Sequence, residues 1–195
     1  MKTFEFWFDF GSPAAYLAFT QLPKIETETS SKTVYRPMLL GGVFQATGNQ
    51  SPANIPAKGS YIFEDFNRFA KRYGVPFKSN PHFPINTLLL MRGAIGVQRQ
   101  YPEQFLAYCR AVFQAIWVDA LNMNDPATVS AVLRRAGFDP QQLMALANDQ
   151  VTKDALKATT TEAVSRGVFG APTFFADDQM FWGQDRLDFL KEALQ

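Results

Sequence analysis

One early segment of the chain carries the pattern from which the fold can be argued: Thr3-Phe4-Glu5-Phe6-Trp7-Phe8-Asp9-Phe10-Gly11-Ser12-Pro13. Every second residue from position 4 to position 10 is phenylalanine, so these rings share one face of a strand over residues 3–10. Trp7 makes the opposite face apolar as well. A strand with two apolar faces is typical of the centre of a sheet.

A tight turn and a helix follow this strand. Pro13 suits the first position of a helix, and Ser12 suits the N-cap position before it. The apolar side chains of the predicted helix recur at helical spacing: Tyr16, Leu17, Phe19 and Leu22. Residues 33–36 predict a second strand. Strand, helix and strand in this order form a parallel unit that must join a larger sheet.

The middle of the chain, residues 41–166, shows helical patterns separated by proline or glycine and no convincing strand. The predicted helices lie near residues 61–73, 86–100, 103–121, 126–136, 140–148 and 152–166. This block therefore looks like an insertion.

The end of the chain predicts a hairpin and a last helix. Strands at residues 173–176 and 180–182 flank a polar turn, and residues 185–194 follow with helical spacing. The two ends together can form one four-stranded sheet. The sequence thus predicts an α/β fold of thioredoxin type, with a thioredoxin-like domain at residues 1–40 and 167–195 and an all-helical insertion at residues 41–166.

Composition excludes several classes of protein. The chain has 195 residues, 47% of them hydrophobic, and a net charge of +1, which fits a folded globule and gives no basic face for nucleic acid. Glu5 and Asp9 interrupt the apolar N-terminus, which argues against a secretory signal, and no apolar run reaches the roughly 18 residues of a membrane span. We therefore expect a cytoplasmic protein without membrane or nucleic-acid partners.

Cysteine and histidine are each present once, as Cys109 and His82. One cysteine cannot form an internal disulfide, and this inventory offers no His/Cys cluster, so no metal site is predicted. Cys109 lies in an apolar helical stripe and is expected to be buried and inert. His82 is expected to be a loop residue that lines or flanks a pocket.

Ser12 occupies the place where thioredoxin-like redox proteins carry their reactive Cys-x-x-Cys. Here that place reads Ser12-Pro13-Ala14-Ala15, so the protein itself cannot exchange disulfides. The start of a helix still favours an anion, and a serine hydroxyl can donate a hydrogen bond to a thiolate brought in by a ligand. The alternative is that Ser12 is only a helix N-cap.

The segment 167–173, Gly-Val-Phe-Gly-Ala-Pro-Thr, brings a proline into the start of a strand. Pro172 removes a donor from the sheet and suits a cis peptide, which would leave the backbone groups of Ala171 free to pair with an extended peptide ligand. The alternative is an ordinary turn before an edge strand.

Five separated segments carry a resemblance to a known family: FWFDFGSP at 6–13, GNQSP at 48–52, PAKGSY at 56–61, GVFGAPT at 167–173 and WGQDRL at 182–187. They resemble the 2-hydroxychromene-2-carboxylate isomerases, and the kappa-class glutathione transferases share them. The resemblance spans nearly the whole chain, and its motifs occur in the right order.

The resemblance implies a glutathione site and a homodimer formed through the inserted helices. Ser12 would contact the glutathione sulfur, and Ala171, followed by Pro172, would pair its backbone with the cysteinyl part. The other implied binding residues are Asn49, Lys58 and Tyr61 in the loop and helix start that close over the site, and Gln184 and Asp185 at the γ-glutamyl end. Taken alone, Lys58 is a solvated lysine and Asp185 a first-turn acid.

The resemblance also implies the reaction. Glutathione would add through sulfur to a ring-opened aromatic 2-oxo acid, allow rotation about the former double bond, and leave unchanged. Two alternatives stay open: a kappa-class-like glutathione transferase or peroxidase, and a non-catalytic glutathione-binding module.

Overall fold

The computed structural model describes every residue from Met1 to Gln195. Its strands are β1 (Thr3–Phe8), β2 (Lys32–Pro37), β3 (Thr173–Ala176) and β4 (Gln179–Trp182). Its α-helices are α1 (Pro13–Thr29), α2 (Leu40–Thr47), α3 (Pro56–Tyr73), α4 (Leu88–Gln100), α5 (Phe105–Trp117), α6 (Pro126–Arg135), α7 (Pro140–Asn148), α8 (Gln150–Ser165) and α9 (Leu187–Leu194). Short 3₁₀ helices cover Pro52–Asn54, Pro102–Gln104 and Gln184–Arg186. No helix combines the length and the hydropathy that a membrane span requires.

The sheet has four strands in the order β2-β1-β3-β4, so β1 is central as its sequence predicts. β1 runs parallel to β2, with Phe6 opposite Tyr35. It runs antiparallel to β3, with Phe6 opposite Phe174, and β3 pairs antiparallel with β4. This mixed sheet with its helical insertion confirms the predicted thioredoxin-like fold.

Both faces of the sheet are covered. Phe6 and Phe8 belong to the main core together with residues of α1 and α5, whereas Trp7 faces a smaller cluster that includes Val43 of α2 and Ala163 of α8. Phe6, Phe8 and Trp7 are fully buried. The alternation of aromatic side chains along β1 thus anchors helices on both sides of one strand.

β1 ends at Phe8, two residues before the predicted end. Asp9 already belongs to the turn that leads into α1, because its main-chain oxygen accepts the N–H of Ser12 at 3.1 Å and its carboxylate accepts the N–H of Gly11 at 2.8 Å. These bonds bend the chain away from the sheet immediately before Ser12.

Among the helices between β2 and β3, the two largest differences from the sequence-based assignment lie in α2 and at the start of α3, and the other helix bounds differ by at most four residues. α2 was not predicted as a separate helix, and α3 begins at Pro56 instead of residue 61. Glycines account for both: Gly41 and Gly42 weaken the pattern in α2, and Gly59 weakens it in α3. A Cβ at Gly59 would lie 3.2 Å from the Cα of Ala53, so this glycine permits close packing on the preceding 3₁₀ helix. The division into domains at residues 40 and 167 stays a prediction.

Candidate active site

Ser12 is the N-cap residue of α1, and its hydroxyl makes two hydrogen bonds. The Oγ atom accepts the N–H of Ala15 at 3.1 Å, which is an N-cap bond, and it donates to the main-chain oxygen of Ala171 at 2.8 Å. Ser12 is 5% exposed. The capping function is therefore present, and the same hydroxyl also reaches the segment before Pro172.

The Ala171–Pro172 peptide bond is cis, as the sequence predicts for a proline at this point. The N–H of Ala171 donates no hydrogen bond within the protein, so it is available to an extended peptide. The prediction that the carbonyl is equally free is wrong, because that oxygen accepts the Ser12 hydroxyl. The reason is proximity: the turn before α1 brings Ser12 directly against the cis-proline segment.

Gln184 and Asp185 lie next to the cis-proline segment. The N–H of Gly183 donates to the oxygen of Pro172 at 3.0 Å, which fixes the start of the 3₁₀ helix that contains both residues. Gln184 is buried, and its main-chain oxygen accepts the hydroxyl of Tyr73 at 2.6 Å. The Asp185 carboxylate is exposed and pairs with Arg186 at 2.5 Å.

Asn49 is tied to the same segment from the other side. Its Nδ2 atom donates to the main-chain oxygen of Phe169 at 2.8 Å, two residues before Ala171. Lys58 and Tyr61 lie on the first turns of α3, and both are exposed. Tyr61 is 62% exposed, with the Arg68 guanidinium 5.6 Å from its ring centre. Hydrogen bonds thus connect Ser12 with Ala171, Asn49 with Phe169, and Gly183, just before Gln184 and Asp185, with Pro172. The side chains of Lys58 and Tyr61 form no hydrogen bond with these segments, and the common site stays a prediction.

Asp9 is a residue near the site that the sequence analysis did not select. It is 1% exposed, and its two carboxylate oxygens accept the N–H groups of Gly11 and Leu40, each at 2.8 Å. The Thr87 side chain is a further polar group near the carboxylate. Burial raises the pKa of this carboxyl group, and the hydrogen bonds oppose that rise. The sequence feature that could have identified Asp9 is its position, because an acidic residue directly follows a central apolar strand.

The loop before α4 carries an aromatic side chain and lies beside the turn that contains Gly11. A Cβ at Gly11 would lie 3.9 Å from the main-chain oxygen of Ile85, so the loop before α4 borders the turn. Phe83 of this loop meets Phe63 of α3 with ring centres 5.9 Å apart, and both rings are half-buried. Burial raises the pKa of Tyr16, which lies in the first turn of α1, to about 12. Its hydroxyl therefore stays protonated at neutral pH and donates a hydrogen bond to the main-chain oxygen of Pro76.

The other reactive side chains lie outside this arrangement. Cys109 is fully buried in α5, as predicted, and burial raises the pKa of its thiol well above the ordinary value, so its inertness stays a prediction that the burial supports. His82 is exposed in the loop between α3 and α4. A cavity of about 340 Å³ lies among α4, α5, α6 and α7, and none of the predicted site residues lines it.

Comparison with known proteins identifies the family of the chain. The sequence profile of the DsbA-like thioredoxin domain matches residues 3–195. The 2-hydroxychromene-2-carboxylate isomerase of Sphingobium xenophagum is 32% identical over 195 residues, which cover 99% of this chain and 98% of the relative. Glutathione S-transferase kappa 1 of Homo sapiens is 28% identical over 99% of this chain and 91% of its own.

A solved structure of a 2-hydroxychromene-2-carboxylate isomerase superimposes with a TM-score of 0.88 at 29% identity. The alignment covers 98% of this chain and 94% of that structure. The chain therefore belongs to the family of DsbA-like thioredoxin domains, in the group that contains the 2-hydroxychromene-2-carboxylate isomerases and the kappa-class glutathione transferases.

Proposed function

We propose that this protein is a glutathione-dependent isomerase that acts on 2-hydroxychromene-2-carboxylate or a similar aromatic 2-oxo acid. One observation carries the proposal: a serine hydroxyl at the N-terminus of α1 lies 2.8 Å from the main-chain oxygen before a cis-proline. A thioredoxin-like protein with serine at this place needs a thiol from a ligand, and relatives named as isomerases cover the whole chain.

In the proposed complex, glutathione lies across the cis-proline segment with its sulfur at Ser12. The unpaired N–H of Ala171 donates to the cysteinyl carbonyl of the ligand. Asp185 and Gln184 hold the γ-glutamyl end, where a carboxylate suits the ammonium group. Asn49, Lys58 and Tyr61 close the site from α3 and the loop before it, with Lys58 bringing a cation toward the carboxylates of glutathione or the substrate.

Ser12 activates the thiol by redirecting its hydroxyl from Ala171 to the sulfur. A hydrogen bond to a charged group contributes about 1.5–3 kcal/mol, which corresponds to roughly one to two pH units in the thiol pKa. The positive end of the α1 dipole adds to this effect. A free thiol with a pKa near 8.5 then becomes substantially ionised at neutral pH.

The chemistry follows from the thiolate. Its electron pair forms a C–S bond at the conjugated carbon, and the electrons of the double bond move onto the carbonyl oxygen as an enolate. Rotation about the new single bond follows, after which the enolate re-forms the carbonyl conjugation and expels the same thiolate. The half-buried rings of Phe63 and Phe83 support the aromatic part of the substrate, and no atom of glutathione is lost.

A glutathione transferase is the second candidate, because relatives named glutathione S-transferase kappa 1 match the full chain at 28% identity. A transferase would use the same glutathione thiolate. It would release the thioether of glutathione and substrate as product, whereas an isomerase expels glutathione from that thioether again. The homodimer and the cytoplasmic location are further proposals, which rest on the family resemblance.

Calorimetry with glutathione and with S-methylglutathione tests the binding part of the proposal. Glutathione should bind with release of a proton, because its thiol ionises on binding, whereas the S-methyl analogue should bind more weakly and release none. Failure of glutathione to bind, or binding of both ligands without any difference in proton release, would contradict the proposed function.

A further inference from the structure

The buried carboxylate of Asp9 is the point at which three helix starts meet. α1 begins just beyond it at Pro13, α2 begins at Leu40, and α4 begins at Leu88. The Asp9 carboxylate accepts hydrogen bonds from Gly11, just before α1, and from Leu40, the first residue of α2. Thr87, just before α4, lies beside the same turn, and Asp9 forms no salt bridge.

Two of these three helices, α2 and α4, have no side-chain cap of their own. The N-cap residue of α2 is Leu39, which has no polar side chain, and the N-cap residue of α4 is Thr87, whose side chain makes no capping bond. Asp9 supplies the missing acceptor for α2. One side chain therefore fixes the turn before α1 against the start of α2, and the Thr87 methyl group packs beside the same turn.

The turn that Asp9 fixes is the turn that places Ser12. The main-chain oxygen of Asp9 accepts the Ser12 N–H at 3.1 Å, so both Asp9 acceptor groups act within the segment 9–12. A Cβ at Gly11 would lie 3.3 Å from both the Asp9 carboxylate and the Thr87 methyl group. The turn is tightly enclosed and leaves little freedom for the main chain of Ser12.

We propose that Asp9 is a positioning residue for the thiol chemistry: it holds the turn 9–12 so that the Ser12 hydroxyl points at the glutathione sulfur. The inference rests on the proposed function for its chemical consequence. Its geometric part, that Asp9 orders Ser12, is independent of any ligand.

Two effects of removing the Asp9 charge have opposite signs, which makes the proposal testable. Loss of a nearby negative charge by itself favours the thiolate and lowers the thiol pKa. Loss of the positioning bond moves the Ser12 hydroxyl away from the sulfur and raises the thiol pKa. The proposal requires the second effect to dominate.

The experiment compares Asp9→Asn with the wild type in two measurements. Asparagine has the same size, but its amide nitrogen must face one of the two N–H donors, so one bond is lost. Without ligand, hydrogen exchange should become faster at the Ala15 N–H, which bonds to Ser12 Oγ, and stay unchanged at Phe6 in β1. With glutathione, the thiolate fraction at neutral pH should fall by about three- to tenfold.

Thr87→Val and Thr87→Ser form a milder pair should Asp9→Asn fold poorly. Valine removes the hydroxyl of the residue beside the Asp9 turn and should change both measurements in the same direction, less than Asp9→Asn does. Serine keeps that hydroxyl and should resemble the wild type.

Ser12→Ala provides the last comparison. Adding Asp9→Asn to Ser12→Ala should produce no further rise in the thiol pKa, because Asp9 acts through Ser12. An equal rise in the two backgrounds, a lowered thiol pKa, or unchanged exchange at Ala15 would overturn the proposal. If the wild type binds no glutathione, the proposed function fails, while the exchange measurement still decides whether Asp9 orders Ser12.

Discussion

The hydroxyl of Ser12 lies 2.8 Å from the main-chain oxygen of Ala171, although 159 positions separate the two residues in the sequence. A hydroxyl has one proton, so it cannot donate to Ala171 and to a thiolate at the same time. Binding of an ionised sulfur must therefore turn this proton away from the carbonyl. The exchange favours the ligand, because a bond to a charged acceptor is stronger than one to a neutral carbonyl.

Ser12→Ala should raise the thiol pKa of bound glutathione by about one to two pH units, because it removes this donor. Ser12→Thr keeps a hydroxyl at the N-cap position and should stay closer to the wild type. Ultraviolet absorbance of the thiolate, followed during a pH titration, measures the difference. Identical titrations of wild type and Ser12→Ala would remove Ser12 from the proposed chemistry.

Asp185→Asn should weaken glutathione binding by about two- to fivefold, because its carboxylate is exposed and screened by solvent. Asp188→Asn changes an exposed acid of α9 that pairs with Lys191 at 3.2 Å, and it serves as the matched control without an effect on binding. A glutathione analogue that lacks the γ-glutamyl amino group should bind wild type and Asp185→Asn equally in calorimetry. A full loss of affinity for that analogue as well would assign Asp185 to the fold instead.

Cys109→Ala should keep the rate within about twofold of wild type, since burial keeps this thiol protonated and away from ligands. The wild-type thiol should also react slowly with iodoacetamide in the folded protein and quickly after unfolding. Mass spectrometry of the alkylated protein checks this. A loss of more than about tenfold in rate with an unchanged circular dichroism spectrum would point to a protein nucleophile.

The pKa of Glu5 is lowered in the folded protein, which predicts that the free energy of unfolding depends on pH. Burial raises the pKa of its carboxyl group, but hydrogen bonds from Trp7 and Arg166 and the charges of Arg166 and Arg36 outweigh burial and lower it below 4.5. A lowered folded-state pKa gives stability that is present above the unfolded value and lost as the pH falls through the folded value.

Glu5→Gln should therefore lower the free energy of unfolding by about 1 kcal/mol at pH 7 and by less at pH 3. Glu64→Gln removes an exposed carboxylate that pairs with Arg68 at 3.3 Å and should change little at either pH. Urea unfolding at the two pH values measures both variants. An effect of Glu5→Gln that grows toward pH 3 would contradict the assigned sign.

The sequence was sufficient for features that repeat along the chain. The spacing of Phe4, Phe6 and Phe8 predicted a central strand, because both burial and strand geometry repeat every two residues. The position of Pro172 between a glycine-rich turn and a strand predicted a cis peptide bond, and the structure confirms this bond.

Features that depend on distant contacts were not predictable in this way. Ser12 could be identified as a cap, but its bond to Ala171 arises only when the sheet brings the two ends of the chain together. The sequence does not indicate what Asp9 binds, since its partner Leu40 lies 31 positions further along the chain. The start of α3 at Pro56 could not be predicted either, because the packing of Gly59 on Ala53 depends on the folded structure.

The most direct test of the proposed isomerase activity compares the amount of free thiol that is consumed with the amount of product that is formed. With a conjugated aromatic 2-oxo acid as substrate, turnover should require glutathione and leave its total concentration unchanged, because the enolate expels the same thiolate that was added. Absorbance of the product and a thiol reagent applied to the same samples give both quantities. Isomerisation at constant total thiol is the predicted result, whereas loss of one thiol per product without isomerisation would contradict it and identify the protein as a transferase.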